Sequence, residues 1–384
     1  VQLADYAETD RERLVVNLRS TGLTVAAVAE KAGITERHAY KILSKIRSRA
    51  ANQGYAPEHG WTRTLPDGHV VSGISTMQDA DGAIKLQWVK SKTDSQRQME
   101  ILIERIETAH ENYQPFEPTP APTNSIGNLC SVLTITDFHL GMYAYEAETG
   151  DDWDMKIAER VFLNSVYEMI DASPHSQTAI LCQLGDFLHW DGILSASTPM
   201  SGHALDADTR YSKLVELAMN VMVEACRIML EKFEKLIVVS AEGNHDISGS
   251  IWLRKHLKHI FRDEPRLEVI DNDYPFYAYL HGRVMLAFHH GHKVKQGQLH
   301  KLFASDPRFR TMWGEAEYTY IATGHYHHER VVEDGGAITE QHPTLSGRDA
   351  YAARGGFVSQ RGAKVITYDA HHGEVSRITI RPTE

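Results

Sequence analysis

The stretch that decides the fold is "KLIVVSAEGNHD", residues 235–246. Its first half is a short apolar run rich in β-branched residues, which reads as a buried strand. Its second half delivers a glycine, an amide, an imidazole and a carboxylate in a row. One such loop proves little, but four other segments repeat the pattern. "LCSVLTITDFH" (129–139) ends in Asp137 and His139, and "TAILCQLGDFLH" (178–189) in Asp186 and His189. "VMLAFHHGH" (284–292) gives His289, His290 and His292, and "YTYIATGHYHH" (318–328) gives His325, His327 and His328. Helical stretches such as "VYEMIDA" (166–172) and "KLVELAMNVMVEACRIMLEKF" (213–233) separate the early runs. The class is therefore α/β, and in layered α/β folds ligands bind where the loops leave the strand ends.

The residue types point to metal. If extended backbone continues past the apolar runs, side chains alternate, so Asp137 and His139 share a side, as do His325 and His327. Each such pair can grip one ion. Oxygen and imidazole donors without sulfur suit Mn²⁺, Fe²⁺ or Zn²⁺. Gly185, Gly243, Gly291 and Gly324 beside these residues permit tight turns and close approach. A single histidine is more often a surface or core residue; the ordered set of five blocks is what carries weight.

These blocks resemble the signature of the calcineurin-like metallophosphoesterases: D-x-H, G-D, G-N-H-[DE], an HG-type histidine and G-H-x-H, over residues 129–330. The resemblance implies a four-layered sandwich of two mixed sheets flanked by helices. It implies two divalent ions, manganese first, with Fe²⁺, Zn²⁺ or Mg²⁺ as alternatives. Carried over by position, Asp137, His139 and His327 hold one ion, Asn244, His290 and His325 the other, and Asp186 bridges them. His290 is preferred to His289 and His292 because it directly precedes Gly291. The implied reaction is phosphodiester hydrolysis by a two-metal-activated hydroxide. Asn244 then supplies a neutral ligand, and His245 faces the substrate as a catalytic group. Asp246 bonds His245 or nearby backbone and steadies the loop.

Substrate class follows from finer resemblances. Phosphoprotein phosphatases of the superfamily carry G-D-x-x-D-R-G, whereas "GDFLHWDG" lacks the arginine. "GDFLH" with "GNHD" and "GHYHHE" resembles the DNA repair exonuclease branch, in which a histidine at the position of His189 lies near the scissile phosphate. The bland reading puts His189 behind the ligands or on the surface. "YAPEHGWTRTLPDG" (55–68) and "SGRDAYAARGGFVSQRGAKVITYD" (346–369) resemble phosphoesterases encoded by tailed bacteriophages.

Upstream, "TVAAVAEKAGITERHAYKILSKIRSRA" (24–50) reads as helix, tight turn at Gly33, and a second helix capped by Thr35. It resembles a DNA-binding helix-turn-helix. Between positions 11 and 49 nine basic residues face three acidic ones, on a chain whose formal charge is −11. Such asymmetry suits a phosphate-facing module, with Arg37, Lys41, Lys45 and Arg47 as DNA contacts. The alternative is a helical bundle serving assembly.

Four parts are expected: a helix-turn-helix over 1–50, a small β element over 51–93, a helix and proline-rich linker over 94–124, and the phosphoesterase domain over 125–384. "HVVSGISTMQDADGAIKLQWVKSK" (69–92) has hairpin alternation, the helix over 95–112 carries a narrow apolar stripe suited to homo-oligomerisation, and "QPFEPTPAPTN" (114–124) is an extended spacer. Arg348, Arg354 and Arg361 sit among glycines in loops open to solvent or to a nucleic-acid backbone. "AKVITYDAHHGEVSRITIRP" (363–382) is a closing hairpin whose His371 and His372 are not ligands. The three cysteines, Cys130, Cys182 and Cys226, read as buried free thiols. No apolar stretch nears the roughly 20 residues a membrane helix needs, and the opening residues lack signal-peptide features. The expected location is cytoplasmic, in the host if the chain is phage-encoded. Beside the nuclease stand two other readings: a phosphodiesterase for cyclic or small nucleotides, and a DNA-binding regulator with an inactive core.

Overall fold

A computed structural model describes residues 2–57, 61–62, 65, 69–78, 84–93, 97, 100, 116–118 and 120–382. The chain divides into two compact units, Val1–Glu104 and Arg105–Glu384. Among the described residues no helix is long and apolar enough to cross a membrane.

The first unit is built on three helices, α1 (Asp10–Ser20), α2 (Val25–Ala32) and α3 (Glu36–Asn52). Each has a threonine cap. Thr9, Thr24 and Thr35 accept from the backbone amides of Glu12, Ala27 and His38, satisfying donors that a helix start leaves unpaired. Gly33 ends α2 at φ 65°, the left-handed region where glycine carries no Cβ penalty, and so turns the chain into α3. Val15, Val28, Leu43 and Ile46 close the core. Short strands β1 (Tyr55–Ala56) and β2 (Trp61–Thr62) pair, and β3 (His69–Gln78) and β4 (Ile84–Thr93) form the expected antiparallel ladder. The helix read over 95–112 lies largely outside the described residues.

Glu12 is the polar pin of this unit. Its carboxylate is buried, takes Arg49 Nη2 at 2.6 Å and the Glu8 amide at 2.9 Å, and lies 3.5 Å from Lys45 Nζ. The Arg49 hydrogen bond, first, holds its pKa down at about 2. A depressed folded-state value means stabilisation that is complete above the ordinary carboxylate range and lost as pH falls towards 2. Glu12→Gln is expected to lower the opening free energy of α1 and α3 by about 2 kcal/mol at pH 5, read by amide hydrogen exchange. Equal protection in both proteins would show that the pair contributes nothing.

The second unit holds two mixed sheets. One is ordered β15-β14-β5-β6-β7-β8: β5 (Ile126–Ile135), β6 (Ser176–Gln183), β7 (Lys235–Ser240) and β8 (Leu267–Val269) run parallel, and β14 (Ala363–Asp369) and β15 (Gly373–Ile380) add an antiparallel edge. The other is ordered β12-β13-β11-β10-β9, with β9 (Tyr277–His281), β10 (Val284–Phe288), β11 (Tyr318–Thr323), β12 (Arg330–Asp334) and β13 (Ala337–Gln341). Alternate residues of the two sheets, among them Val132, Ile180, Val239, Leu286 and Ile366, meet in one apolar core. The opposite face of the second sheet, with Met285, Ala287 and Ile321, packs on Leu299 and Phe303 of a helix over Gln296–Ser305. Helices α4 (Met155–Ala172) and α5 (Tyr211–Lys232) follow β5 and β6 and bury one apolar face each. All three cysteines are buried and free. Because β5, β6, β7, β10 and β11 all end on one side, their outgoing loops share a single edge.

Candidate metal centre

The strands stop short of the functional residues. β5 ends at Ile135 and β11 at Thr323, so strand alternation does not aim Asp137, His139, His325 and His327. They lie in loops, and with Asp186 they take left-handed backbone, φ 49° to 74°. Such conformations cost side-chain-bearing residues about 1–3 kcal/mol each and persist only where surrounding bonds fix them. Here the loops hold one another. The Asp137 amide donates to Gly185 O at 3.1 Å and the His139 amide to Asp186 O at 3.0 Å. Asp137 Oδ2 accepts from Thr136 Oγ1 at 2.7 Å and from the His325 amide at 2.9 Å, tying the β5 loop to the β11 loop. Two glycines make the approach close enough. A Cβ on Gly243 would stand 2.0 Å from Asp186 Oδ1, and one on Gly324 2.1 Å from Thr136 Oγ1.

Among the described residues ligand-type atoms converge in three groups: one is all histidine, His139 with His189 and His245, and the two that hold a carboxylate are Asp137 with His139 and His327, and Asp186 with His290 and His325. In each group one atom per residue lies within 4.8 Å of the others. His290 Nε2 is 3.1 Å from Asp186 Oδ2 and 3.9 Å from Asp137 Oδ1, while its Nδ1 donates to Leu184 O at 2.9 Å. That bond turns Nε2 towards the carboxylates. His289 goes elsewhere: it stacks on Phe276 at 4.7 Å and accepts from the Gly291 amide. His292 lies 5.4 Å, ring to ring, from His290 and belongs to none of the groups. Asn244 has its Oδ1 buried and without a hydrogen bond, like Asp137 Oδ1 and His290 Nε2.

Asn244 Oδ1 has no partner, and Asp137 Oδ1 and His290 Nε2 face only other members of the cluster, His327 Nε2 at 3.3 Å and Asp186 Oδ2 at 3.1 Å, which bears on how the residues fit a metal. Burying polar atoms without partners costs roughly 1–3 kcal/mol each, and buried carboxylates need compensating charge. Burial opposes ionisation of Asp137 and Asp186, yet the imidazoles of His327 and His290 facing them hold both below the usual carboxylate range. Burial, then His245, keeps His139 neutral, as a ligand must be. Two carboxylates, an amide oxygen and four imidazoles fit divalent cations of the borderline class.

His245, His189 and Asp246 surround this centre differently. His245 Nδ1 donates to His189 O at 2.7 Å, and its amide donates to Asp186 Oδ1 at 2.8 Å, which leaves Nε2 towards the cleft. His189 is buried, so it is no surface residue; its Nδ1 meets His139 Nδ1 at 3.3 Å. Burial, then His245, pushes its pKa down to about 3. Among the described residues Asp246 makes no hydrogen bond to the His245 ring. Its Oδ1 accepts from the Gly243 amide, and its Oδ2 from the amides of Phe187 and Leu188. Of the two partners expected for Asp246, the structure shows backbone: its three accepted bonds tie together the loops that carry Asp186 and Asn244, which makes it a positioning residue.

The centre opens into a cleft of about 770 Å³. Its wall includes Arg348, which donates to Thr149 O at 2.6 Å, and Arg361, which lies over the Trp153 ring at 5.1 Å. Arg354 pairs with Glu148 instead. Sequence reasoning missed Thr136, Thr344 and the rim aromatics Tyr326, Tyr351 and Phe357. Thr344 Oγ1 donates to Asp137 O at 2.8 Å, from a loop 207 residues away that no local pattern identifies.

In the first unit Arg37, Lys41 and Arg47 are exposed on α3. Lys45 is drawn aside by Glu12 at 3.5 Å and Glu8 at 3.9 Å.

No protein-family model and no curated protein matches the chain. Solved structures do align with about two thirds of the chain. The phosphoesterase YfcE of E. coli is 15% identical, covering 65% of this chain and 100% of its own, at a TM-score of 0.30. A novel archaeal phosphodiesterase is 13% identical, covering 66% and 99%, at 0.32. Vps29 of Entamoeba histolytica, solved with Zn²⁺, is 12% identical, covering 65% and 98%, at 0.24.

Proposed function

We propose that residues 125–384 form a four-layered, calcineurin-like metallophosphoesterase domain that hydrolyses phosphodiesters, with DNA as the substrate and the first unit as a DNA-binding head. The observation that carries this reading is the set of buried ligand-type atoms, Asp137 Oδ1, Asn244 Oδ1 and His290 Nε2, that face only one another's cluster at the convergence of five strand ends. Asp137, His139 and His327 would hold one divalent ion and Asn244, His290 and His325 the other, with Asp186 shared. Bound there, the ions would supply Lewis-acid charge for water activation and for the phosphate oxygens.

The chain's own residues do the rest. Asn244 ligates without adding negative charge that would repel a phosphate. His245, with Nδ1 fixed on His189 O, keeps Nε2 for a proton exchanged with the leaving oxygen. Asp246 locks the Gly243 loop to the Phe187 loop, so the ligands and His245 keep their spacing. His189 backs the His139 ring.

The test is Mn²⁺-dependent cleavage of end-labelled single- and double-stranded DNA, beside a model diester and a model monoester. Cleavage of DNA and diester over monoester is expected. Monoester hydrolysis alone would refute the diesterase reading. A cleft of about 770 Å³, the size of a small-ligand site, favours small nucleotides as the second reading. Diester hydrolysis with DNA left intact would select it.

For the head, log–log salt dependence of DNA affinity should be steep. Alanine at Arg37, Lys41 or Arg47 should each reduce the slope by about one, whereas Lys45→Ala, already paired, should change it less. A flat salt response would leave the head without a phosphate-binding role.

A further inference from the structure

One wall of the cleft has no part in the hydrolytic reading. Tyr351 and Phe357 stack on each other at 6.4 Å with 26° between their planes, yet remain 75% and 59% exposed. Tyr326, between His325 and His327, is 55% exposed. All three line the cleft, beside Arg348 and Arg361.

The two arginines are not loose surface charges. Arg348 is fixed by Thr149 O, and its amide donates to Asp151 Oδ2 at 3.0 Å. Arg361 is fixed by Leu345 O at 3.2 Å and by the Trp153 ring. Fixed positive charge beside open aromatic faces selects a planar aromatic group that carries negative charge. A nucleotide has both. In a duplex the base faces are covered by their neighbours, so only an unpaired base can offer one to a protein ring.

We propose that the 348–361 wall is a base-stacking subsite, with Tyr351 and Phe357 receiving the unpaired nucleobase that flanks the scissile phosphodiester. The enzyme then prefers single-stranded nucleic acid to duplex. This rests on the phosphodiesterase reading of the same site.

The full-length, Mn²⁺-loaded protein and its Tyr351→Ala/Phe357→Ala variant are compared on thymidine 5′-(p-nitrophenyl phosphate) and on the baseless methyl p-nitrophenyl phosphate. The ratio of kcat/KM for the base-bearing over the baseless diester should fall about tenfold in the variant, through KM, the scale of one base–aromatic stack. Tyr351→Trp should keep the ratio. An unchanged ratio, including a proportional fall on both substrates, would overturn the subsite. If the wild type hydrolyses neither diester, the hydrolytic reading fails, and fluorescence anisotropy of labelled oligothymidylate decides the subsite separately. Binding weakened about tenfold in the variant supports it; equal binding refutes it. A duplex bound as tightly as the single strand would also refute it, as would a dimer that the double substitution dissolves.

Discussion

Asp186→Ala is expected to lower turnover by about 10³-fold or more and to strip the centre of metal. The scale is roughly 4 kcal/mol of transition-state free energy. Both Asp186 oxygens are engaged in the site: Oδ2 faces His290 Nε2 at 3.1 Å, and Oδ1 accepts from the His245 amide at 2.8 Å. Its loss removes a buried negative charge that the imidazoles are arranged around, and it frees the amide that fixes His245. Metal content by plasma mass spectrometry and turnover of a model diester read the two effects together. Full metal content with full activity in the variant would remove Asp186 from the mechanism.

His245→Ala should separate catalysis from metal binding. Its Nδ1 is committed to His189 O, and its ring stands edge-on to His139 at 4.7 Å. Turnover is expected to fall about 10²- to 10⁴-fold, the range for a positioned proton donor, while both ions stay bound. The competing role is specific, because His139, His189 and His245 also bring ligand atoms within 4.8 Å of one another. That group contains no carboxylate to balance a divalent charge, and His189 Nδ1 is engaged with His139. Metal lost together with activity would make His245 a ligand.

The fold was legible where local signals coincide. Apolar β-branched runs marked β5, β6, β7, β10 and β11, and the polar residues after each marked the shared edge. Thr35 and Gly33 signalled the helix break before α3, and the closing hairpin appears as β14 and β15. The directions of the side chains were not legible. Extended alternation predicts a shared side for each D-x-H and H-x-H pair, but the strands end two residues early, and left-handed backbone aims Asp137, His139, His325 and His327. Positive φ at a residue with a side chain depends on distant bonds, here those of Asp137 with Gly185, His325 and Thr344, so no window of sequence reveals it. Asp246 shows the same limit. Its carboxylate serves amides of residues 187 and 188, nearly sixty positions upstream. The rim aromatics gave only the signal of a glycine-rich segment holding Tyr351 and Phe357.

The measurement closest to the central claim is anomalous scattering from crystals of the full chain soaked in Mn²⁺. Two peaks are expected, one among Asp137, His139 and His327, the other among Asn244, His290 and His325, with Asp186 between them. A single peak, or a peak among His139, His189 and His245, would contradict the two-ion centre on which the proposed hydrolysis depends.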